Sequence, residues 1–245
     1  MKTKMFKFGL VIALMIWCAP VLEAQNTDYG MVRITFVKAK IGMEAEFASS
    51  VAEFNAKFHS EAPFTARLDR IATGKEAGWF VWIMGPLTFT DLDNWDTAGA
   101  RAEYLKKNVY DKVAKFGRTE FWRYNPDLSY AEIDEPTAVS NLWLIDIADN
   151  QYHRFKTFME KINKAFAKMN RDNMRVYNNQ FNEDDGRDVV IVWTATKWAD
   201  MDEANDDLEA TYDEIHGKGA WQTAMDDWQD FTVSVQSTLW MYDVK

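Results

Sequence analysis

Residues Val189 to Asp202 read V-V-I-V-W-T-A-T-K-W-A-D-M-D, and a near relative of this stretch, W-F-V-W-I-M-G-P-L-T-F-T-D-L-D, occupies Trp79 to Asp93. In each copy an apolar strand bearing a tryptophan (Trp82, Trp193) leads to an aromatic residue (Phe89, Trp198). Asp-x-Asp around one apolar residue follows (Asp91 to Asp93, Asp200 to Asp202). The chain thus spells one structural unit twice, and the repeat extends outward from this seam. Phe155, Met159, Ile162 and Phe166 each follow Phe47, Val51, Phe54 and Phe58 by 108 positions. Their spacing of four, three and four lines one face of a helix. Near the C-terminus, Leu239-Trp-Met-Tyr242 matches Phe121-Trp-Arg-Tyr124 with both aromatics in register.

The first unit opens with Met31 to Lys38, where Val32, Ile34 and Phe36 alternate with Arg33, Thr35 and Val37, the period of a strand. The helix from Met43 to His59 is stopped by Pro63, and Phe64 to Ile71 reads as a second strand. A turn from Ala72 to Gly78 sends Trp79 to Met84 back as a third. Asp91 or Asp93 is placed to cap a helix with the stripe Leu105, Val109, Val113 and Phe116, and Thr119 to Tyr124 closes the unit. Asn125 to Ala138, with Pro126 and Pro136, has the composition of an exposed connection. The order then repeats: a strand around Leu142 and Leu144, the second helix stripe, Met174 to Phe181, an acidic turn, Val189 to Thr194, a helix opened by Asp200 with Glu203 as a capping box, and the last strand.

Strand, helix, strand, strand, helix, strand is the ferredoxin-like split βαβ order. The returning strand is apolar on both faces, Trp79, Val81 and Ile83 on one and Phe80, Trp82 and Met84 on the other. An antiparallel sheet covered only by its own helices alternates apolar with polar, so a second sheet must cover the bare face. The predicted fold is α+β: two tandem ferredoxin-like repeats packed sheet to sheet as a pseudo-twofold barrel. The divisions are 1–24 leader, 25–125 first repeat, 126–138 linker and 139–245 second repeat.

At this point the chain resembles the dimeric α+β barrel superfamily in tandem form, over nearly the whole of residues 25–245. The C-terminal half looks most like domains of the antibiotic biosynthesis monooxygenase type, through Trp193, the run Trp198-Ala-Asp-Met-Asp202, Glu214-Ile-His216, Trp221 and Phe231. That resemblance implies a repertoire of cofactor-free oxygenases, haem-degrading and haem-binding enzymes, isomerases and domains without chemistry.

The first 24 residues read as a secretory leader: Lys2, Lys4 and Lys7, an apolar run from Phe8 to Trp17, and Ala24 before the cut. The run is too short for a bilayer, which needs about 20 residues, so no stable membrane anchor is expected. Cys18 as a lipid-attachment site is disfavoured by bulky Trp17 before it. Export places the protein in the periplasm or outside the cell. Cys18 is the only cysteine, so cleavage leaves no disulfide, thiolate metal site or cysteine nucleophile. Of 28 cationic and 38 acidic residues the leader takes three and one, leaving 25 against 37, a net charge of −12. Such a surface repels phosphate backbones, and no nucleic-acid partner is expected.

Duplicated cores tend to carry function where their copies diverge. Between Asp96 and Trp122 lie 25 residues, and between Asn205 and Trp240 lie 34, nine more. The extra segment centres on His216-Gly-Lys-Gly219, where a helical stripe (Leu208, Tyr212, Ile215) breaks before another resumes (Trp221, Met225, Trp228, Phe231). His216 is the catalytic candidate, as a proton carrier or haem ligand; its structural alternative is a histidine complementing the negative end of a helix. Trp198, Tyr212 and Trp221 are ligand-binding candidates for their nearness to this segment. Arg175, the repeat mate of Arg67, is a fourth, as a cation able to hold a carboxylate, against an edge residue facing water. His59 and His153, at helix ends, are expected to be exposed. No metal site is expected from three such scattered histidines, and the acidic turn Asn182 to Asp188 fails the EF-hand pattern.

No phosphate loop, dinucleotide fingerprint, H-E-x-x-H or G-x-S-x-G is present. These observations favour an exported protein that binds a small apolar or aromatic molecule in the barrel or a helix-sheet cleft, without cofactor. The alternative is a cofactor-free monooxygenase or haem-handling enzyme. The tandem arrangement satisfies the pairing of single-domain barrels internally, so the chain is expected to act as a monomer, with further oligomers optional. On this reading the exported protein begins at Gln25: intact-mass measurement of secreted material should find a chain starting there, and a chain retaining Met1 would refute the leader.

Overall fold

The computed structural model describes residues 29–131, 138–171, 173–181, 185–202 and 207–242. The expected leader, residues 132–137 of the connection, 182–184 of the acidic turn and Glu203 lie outside these. The first half runs β1 (Met31–Ala39), α1 (Glu44–Phe58), β2 (Ala66–Ile71), β3 (Phe80–Leu87), α2 (Phe89–Asp93), α3 (Gly99–Asn108) and β4 (Val113–Tyr124). After a short β5 (Tyr130–Ala131) the second half runs β6 (Val139–Ile147), α4 (Tyr152–Met169), β7 (Asn173–Asn179), β8 (Val189–Ala195), α5 (Leu208–His216), α6 (Ala220–Phe231) and β9 (Thr232–Tyr242).

Every pairing is antiparallel, and the halves order their strands alike, β4-β1-β3-β2 and β9-β6-β8-β7. The two half-sheets join edge to edge at both sides. Asp69 to Ile71 of β2 pair with Trp240 to Tyr242 of β9, and Trp122 to Tyr124 of β4 pair with Tyr177 to Asn179 of β7. The result is a closed barrel, which removes the free edges two open sheets would expose. Alternation along each strand then divides the side chains. Ile34, Phe36, Ile71, Val81 and Trp122 from the first half meet Leu142, Leu144, Val190 and Trp240 from the second in the barrel interior. The opposite faces lie under helices: Phe47, Val51 and Phe54 of α1 pack on Val37, Leu68 and Phe80. Phe155, Phe158, Met159 and Ile162 of α4 pack on Ile145, Val176 and Ile191. The α+β barrel expected from the repeat is therefore the fold, and the doubly apolar β3 has its explanation.

The interior is not wholly apolar. Glu120 of β4 is 8% exposed and its carboxylate accepts the Trp122 indole N–H at 2.8 Å. It also accepts from Arg187, which the second half supplies from the turn before β8, at 3.0 Å. Arg118 bridges Glu120 to Glu76 and lays its guanidinium 3.9 Å from the centre of the Phe36 ring. One buried ion pair thus ties the halves together where the pseudo-twofold mate of Glu120 is Thr238, as the pairings Ile34 with Glu120 and Leu142 with Thr238 show.

Several local expectations are corrected. The stripe Leu105, Val109, Val113, Phe116 is not one helix: α3 ends at Asn108, and Val113 and Phe116 belong to β4, because a 3-10 turn at Tyr110–Lys112 redirects the chain. The cap of α2 is Thr88, whose hydroxyl accepts the Asp91 N–H at 3.2 Å while Asp91 accepts the Thr88 N–H at 2.7 Å. Asp200 lies in a 3-10 turn and accepts from the Thr196 backbone and hydroxyl at 3.0 and 2.8 Å, while its expected capping partner Glu203 lies outside the described residues. The strand from Phe64 begins at Ala66, with Phe64 stacked on Trp95. The connection after Asn125 is not simply exposed, since Leu128 is buried and β5 pairs with β7. Trp82 and Trp193 are not equivalent either: Trp82 faces Thr35, whereas Trp193 faces Asn141, the mate of Arg33, one step along the same face.

Removing one member of a buried ion pair leaves the other unmatched, at a cost of about 3–5 kcal/mol. Glu120→Ala should lower unfolding free energy in urea by about that amount, and the double variant Glu120→Ala with Arg187→Met should recover much of it. A loss below about 1 kcal/mol in the single variant would show that Glu120 does not hold the halves together.

Candidate functional site

Around the inserted segment the chain behaves as its glycines require. Gly217 and Gly219 adopt φ of 105° and 82°, conformations that end α5 at His216 and start α6 at Ala220. Asp213 accepts the N–H groups of Gly219 and Trp221 at 2.8 and 2.7 Å, capping α6, and those two bonds hold its carboxyl below the usual carboxylate value. His216, Tyr212 and Trp221 do come together: the imidazole and phenol rings lie 4.4 Å apart, and the phenol meets Trp221 edge-on at 5.6 Å. Burial, then Asp227, pushes the Tyr212 phenol up. His216 Nε2 lies 3.2 Å from the Lys161 carbonyl, so this nitrogen carries the ring's proton in the neutral form.

Tyr212 and His216, but not Trp221, line a groove of about 660 Å³ between α4, α5 and α6, on the outer side of the helical layer, with no strand residue in its wall. Asp226, Asp227 and Asp230 face it. A haem would meet those carboxylates with its own propionates, and the residues around His216 fit it poorly. Trp198 and Arg175 are not part of the groove. Trp198 is exposed in a 3-10 turn, and Arg175 sits on β7 with its guanidinium 3.4 Å from the Thr194 hydroxyl.

A second concavity lies where the sequence drew no attention, between the helices and sheet of the first half. With Ile34 and Phe36 turned into the barrel, Arg33 and Thr35 of β1 face outward, joined by Trp82 and Met84 of β3. The end of α1 contributes His59, α3 contributes Arg101, and Trp95 stands between α2 and α3. Together with Tyr110 and Phe116 they line a cleft of about 320 Å³.

His59, expected to be exposed, is only 4% so. The chain turns back from α1 toward β2 directly after it, and Nδ1 donates to the Phe64 carbonyl at 2.7 Å. That bond leaves the lone pair on Nε2, which accepts from Arg101 Nε at 3.4 Å. Burial first, then the charges of Arg101 and Arg33, hold the imidazole below its ordinary value, against the opposing pull of the Phe64 carbonyl. The Arg33 and Arg101 guanidinia stand 5.1 and 4.7 Å from the centre of the Trp95 ring. Burial lowers the pKa of each, and for Arg33 the Arg101 charge adds to it. Among the described residues neither has a carboxylate within ion-pair distance, and the buried Trp95 indole N–H has no acceptor. Sequence reasoning missed this cluster because its members lie apart in the chain. The available signal was Arg33 on a strand otherwise apolar on both faces.

At the pseudo-twofold mate of this cleft two of the strand residues are larger, and Trp143 there is 38% exposed. By register Trp143 stands where Thr35 does, and it meets Trp193 edge-on at 5.0 Å. Among the described residues no group of three His, Cys, Asp or Glu is arranged to hold a metal ion, and no helix is long and apolar enough to cross a membrane.

No family model matches the chain, and no curated protein matches it in sequence. Its fold is similar to that of a candidate monooxygenase from Lactobacillus acidophilus NCFM, with a TM-score of 0.54 and 12% identity, covering 87% of this chain and 93% of that one. A candidate monooxygenase from Fusobacterium nucleatum subsp. nucleatum gives 0.54 and 11%, covering 87% and 92%. A chlorite dismutase from Candidatus Nitrospira defluvii gives 0.53 and 8%, covering 89% and 92%. At these identities the likeness is one of fold, and it agrees with the α+β barrel described above.

The buried, neutral His59 makes a sign-specific prediction. An unfolded chain binds its proton near the ordinary imidazole value of about 6.5, whereas the folded chain resists protonation until lower pH. The unfolded state therefore binds more protons below about 6.5, and stability falls as pH falls through that window. Denaturant unfolding between pH 7 and 5 should show this loss, and His59→Gln should flatten it; an unchanged slope would place its origin elsewhere.

Proposed function

We propose that the protein is an exported binding protein for a small apolar or aromatic molecule, and that the cleft over β1 and β3 is where the molecule sits. The observation that carries this reading is the difference between the halves: on the outer sheet face of one, the paired rings of Trp143 and Trp193 occupy the positions that Thr35 and Met84 hold beside the open cleft of the other. The open cleft is walled by Trp82, Trp95, Tyr110 and Phe116, with a few convergent polar groups among them, the usual make-up of a ligand pocket. Export rests on the leader read from residues 1–24. The tandem repeat completes the barrel within one chain and supports a monomer; the acidic balance argues against a nucleic-acid partner.

A second reading is a cofactor-free monooxygenase of the kind that the C-terminal half resembles. It is favoured by His59 at the wall of the cleft, whose Nδ1 bond to Phe64 keeps Nε2 unprotonated, held only by a long 3.4 Å bond from Arg101 that a substrate proton would have to displace. The same chain residues would bind and orient the substrate in either case, so catalysis is the added claim.

Thr35→Trp imitates the second half and tests both. 2-Naphthol should quench the tryptophan emission of the parent protein saturably, and Thr35→Trp, with its melting temperature retained, should abolish the effect. Absence of binding, or binding that survives Thr35→Trp, would remove the cleft as the site. Oxygen uptake in the same titration, lost in His59→Gln, would establish the enzymatic reading; its absence leaves the binding protein.

A further inference from the structure

Resting on the reading of the cleft as the binding site, we infer that its ligand is a planar aromatic anion, a carboxylate in the first instance, with the negative group held by Arg33 and Arg101 and the ring against the neighbouring tryptophans. Three independent features of the cleft point there. Two guanidinium groups, which stay protonated under all ordinary conditions, share a partly buried space and repel each other. Elsewhere Arg187 and Arg118 are matched with Glu120 and Arg154 with Asp227, while the half-buried Arg70 and Arg123 each lie over a single aromatic ring, Phe80 and Tyr29. Arg33 and Arg101 make no contact ion pair of this kind among the described residues: Asp96 acts on Arg101 only from beyond contact distance, and His59 offers it only a neutral nitrogen at 3.4 Å. Partly buried charge without a counter-charge is costly, and a ligand carboxylate between the two guanidinia would supply it, with paired N–H donors matching its geometry.

The second feature is the donor that remains. The Trp95 indole N–H, at the wall of the cleft, is buried without an acceptor, and buried polar groups in folded proteins nearly always have a partner. The third is shape. The cation-lined end adjoins aromatic rings, Trp95 beside both guanidinia and Trp82 on the floor, which suits a flat ring carrying its charge at one edge. At about 320 Å³ the cleft is of the size that holds a one- or two-ring molecule.

The test compares 2-naphthoate with its neutral isostere 2-naphthamide on the full chain, both followed by quenching of tryptophan emission. Charge-assisted hydrogen bonds to a carboxylate should make the naphthoate bind roughly tenfold or more tightly, with a preference that weakens as salt is added. Arg33→Gln and Arg101→Gln should each erase most of the preference while the amide binds as before. Where a Gln variant melts at a lower temperature than the assay, Arg33→Lys and Arg101→Lys decide instead. They keep the charge and lose the paired donors, so the preference should be reduced but present. Equal affinity for the two probes overturns the anion and leaves an aromatic cleft. Preference unaffected by any of the arginine variants also overturns it, placing the anion elsewhere. Binding of neither probe removes the cleft reading together with this one.

Discussion

Everything in this molecule follows from two half-sheets that cannot face water. β3 carries apolar side chains on both of its faces, and helices cover only one. The bare faces therefore close on each other. They do so by hydrogen bonding as well as by packing, because the free edges β2 and β4 find β9 and β7. A closed sheet leaves no unpaired edge, and Trp122 and Trp240 meet the same core from opposite halves. This arrangement fills the barrel interior with side chains and moves any ligand space outward, between sheet and helices.

Once the interior is shared, the two outer clefts are free to differ. In the second half Trp193 and a thick layer of α4, α5 and α6 side chains cover the sheet, and the exposed Trp143 meets Trp193 edge-on. In the first half the equivalent positions hold smaller residues, Thr35 and Met84, and the helical layer is thinner, since α3 of 10 residues stands where the second half has both α5 and α6. The nine additional residues of the second half, which marked divergence in the sequence, thus serve largely to cover that half. The absence of such a cover on the first half is what leaves the cleft open.

The fold was legible because it is written as periodicity. Helix stripes 108 residues apart, glycine-bounded turns and a doubly apolar strand are local patterns whose physical consequences are nearly forced. Where local pattern misled, a turn had intervened: Val113 and Phe116 continue the stripe of Leu105 and Val109 in spacing, yet the turn at Tyr110–Lys112 puts them on a strand. The site was less legible, for a different reason. Tyr212, His216 and Trp221 were found together because they are neighbours in the chain. Arg33, His59, Trp95 and Arg101 span almost seventy positions and meet only when α1 and α3 settle on β1 and β3. Single-sequence patterns report what lies within one or two turns of a residue and are silent about such encounters.

His59 shows how a structural position becomes a chemical one. A histidine at a helix end in isolation faces water and complements the helix dipole. Here the turn to β2 folds Phe64 back onto it, its Nδ1 proton is taken up by a backbone carbonyl, and Arg101 approaches from the next helix layer. Burial and the Arg101 charge favour the neutral ring over the opposing pull of the Phe64 carbonyl, which fixes the proton on Nδ1 and turns the lone pair toward the guanidinium. The same burial that keeps His59 uncharged leaves the two arginines as the cleft's only cations among the described residues, both beside one indole. A neutral imidazole here limits the local charge to two instead of three, which lets the first half carry an open, positively charged cleft and remain folded.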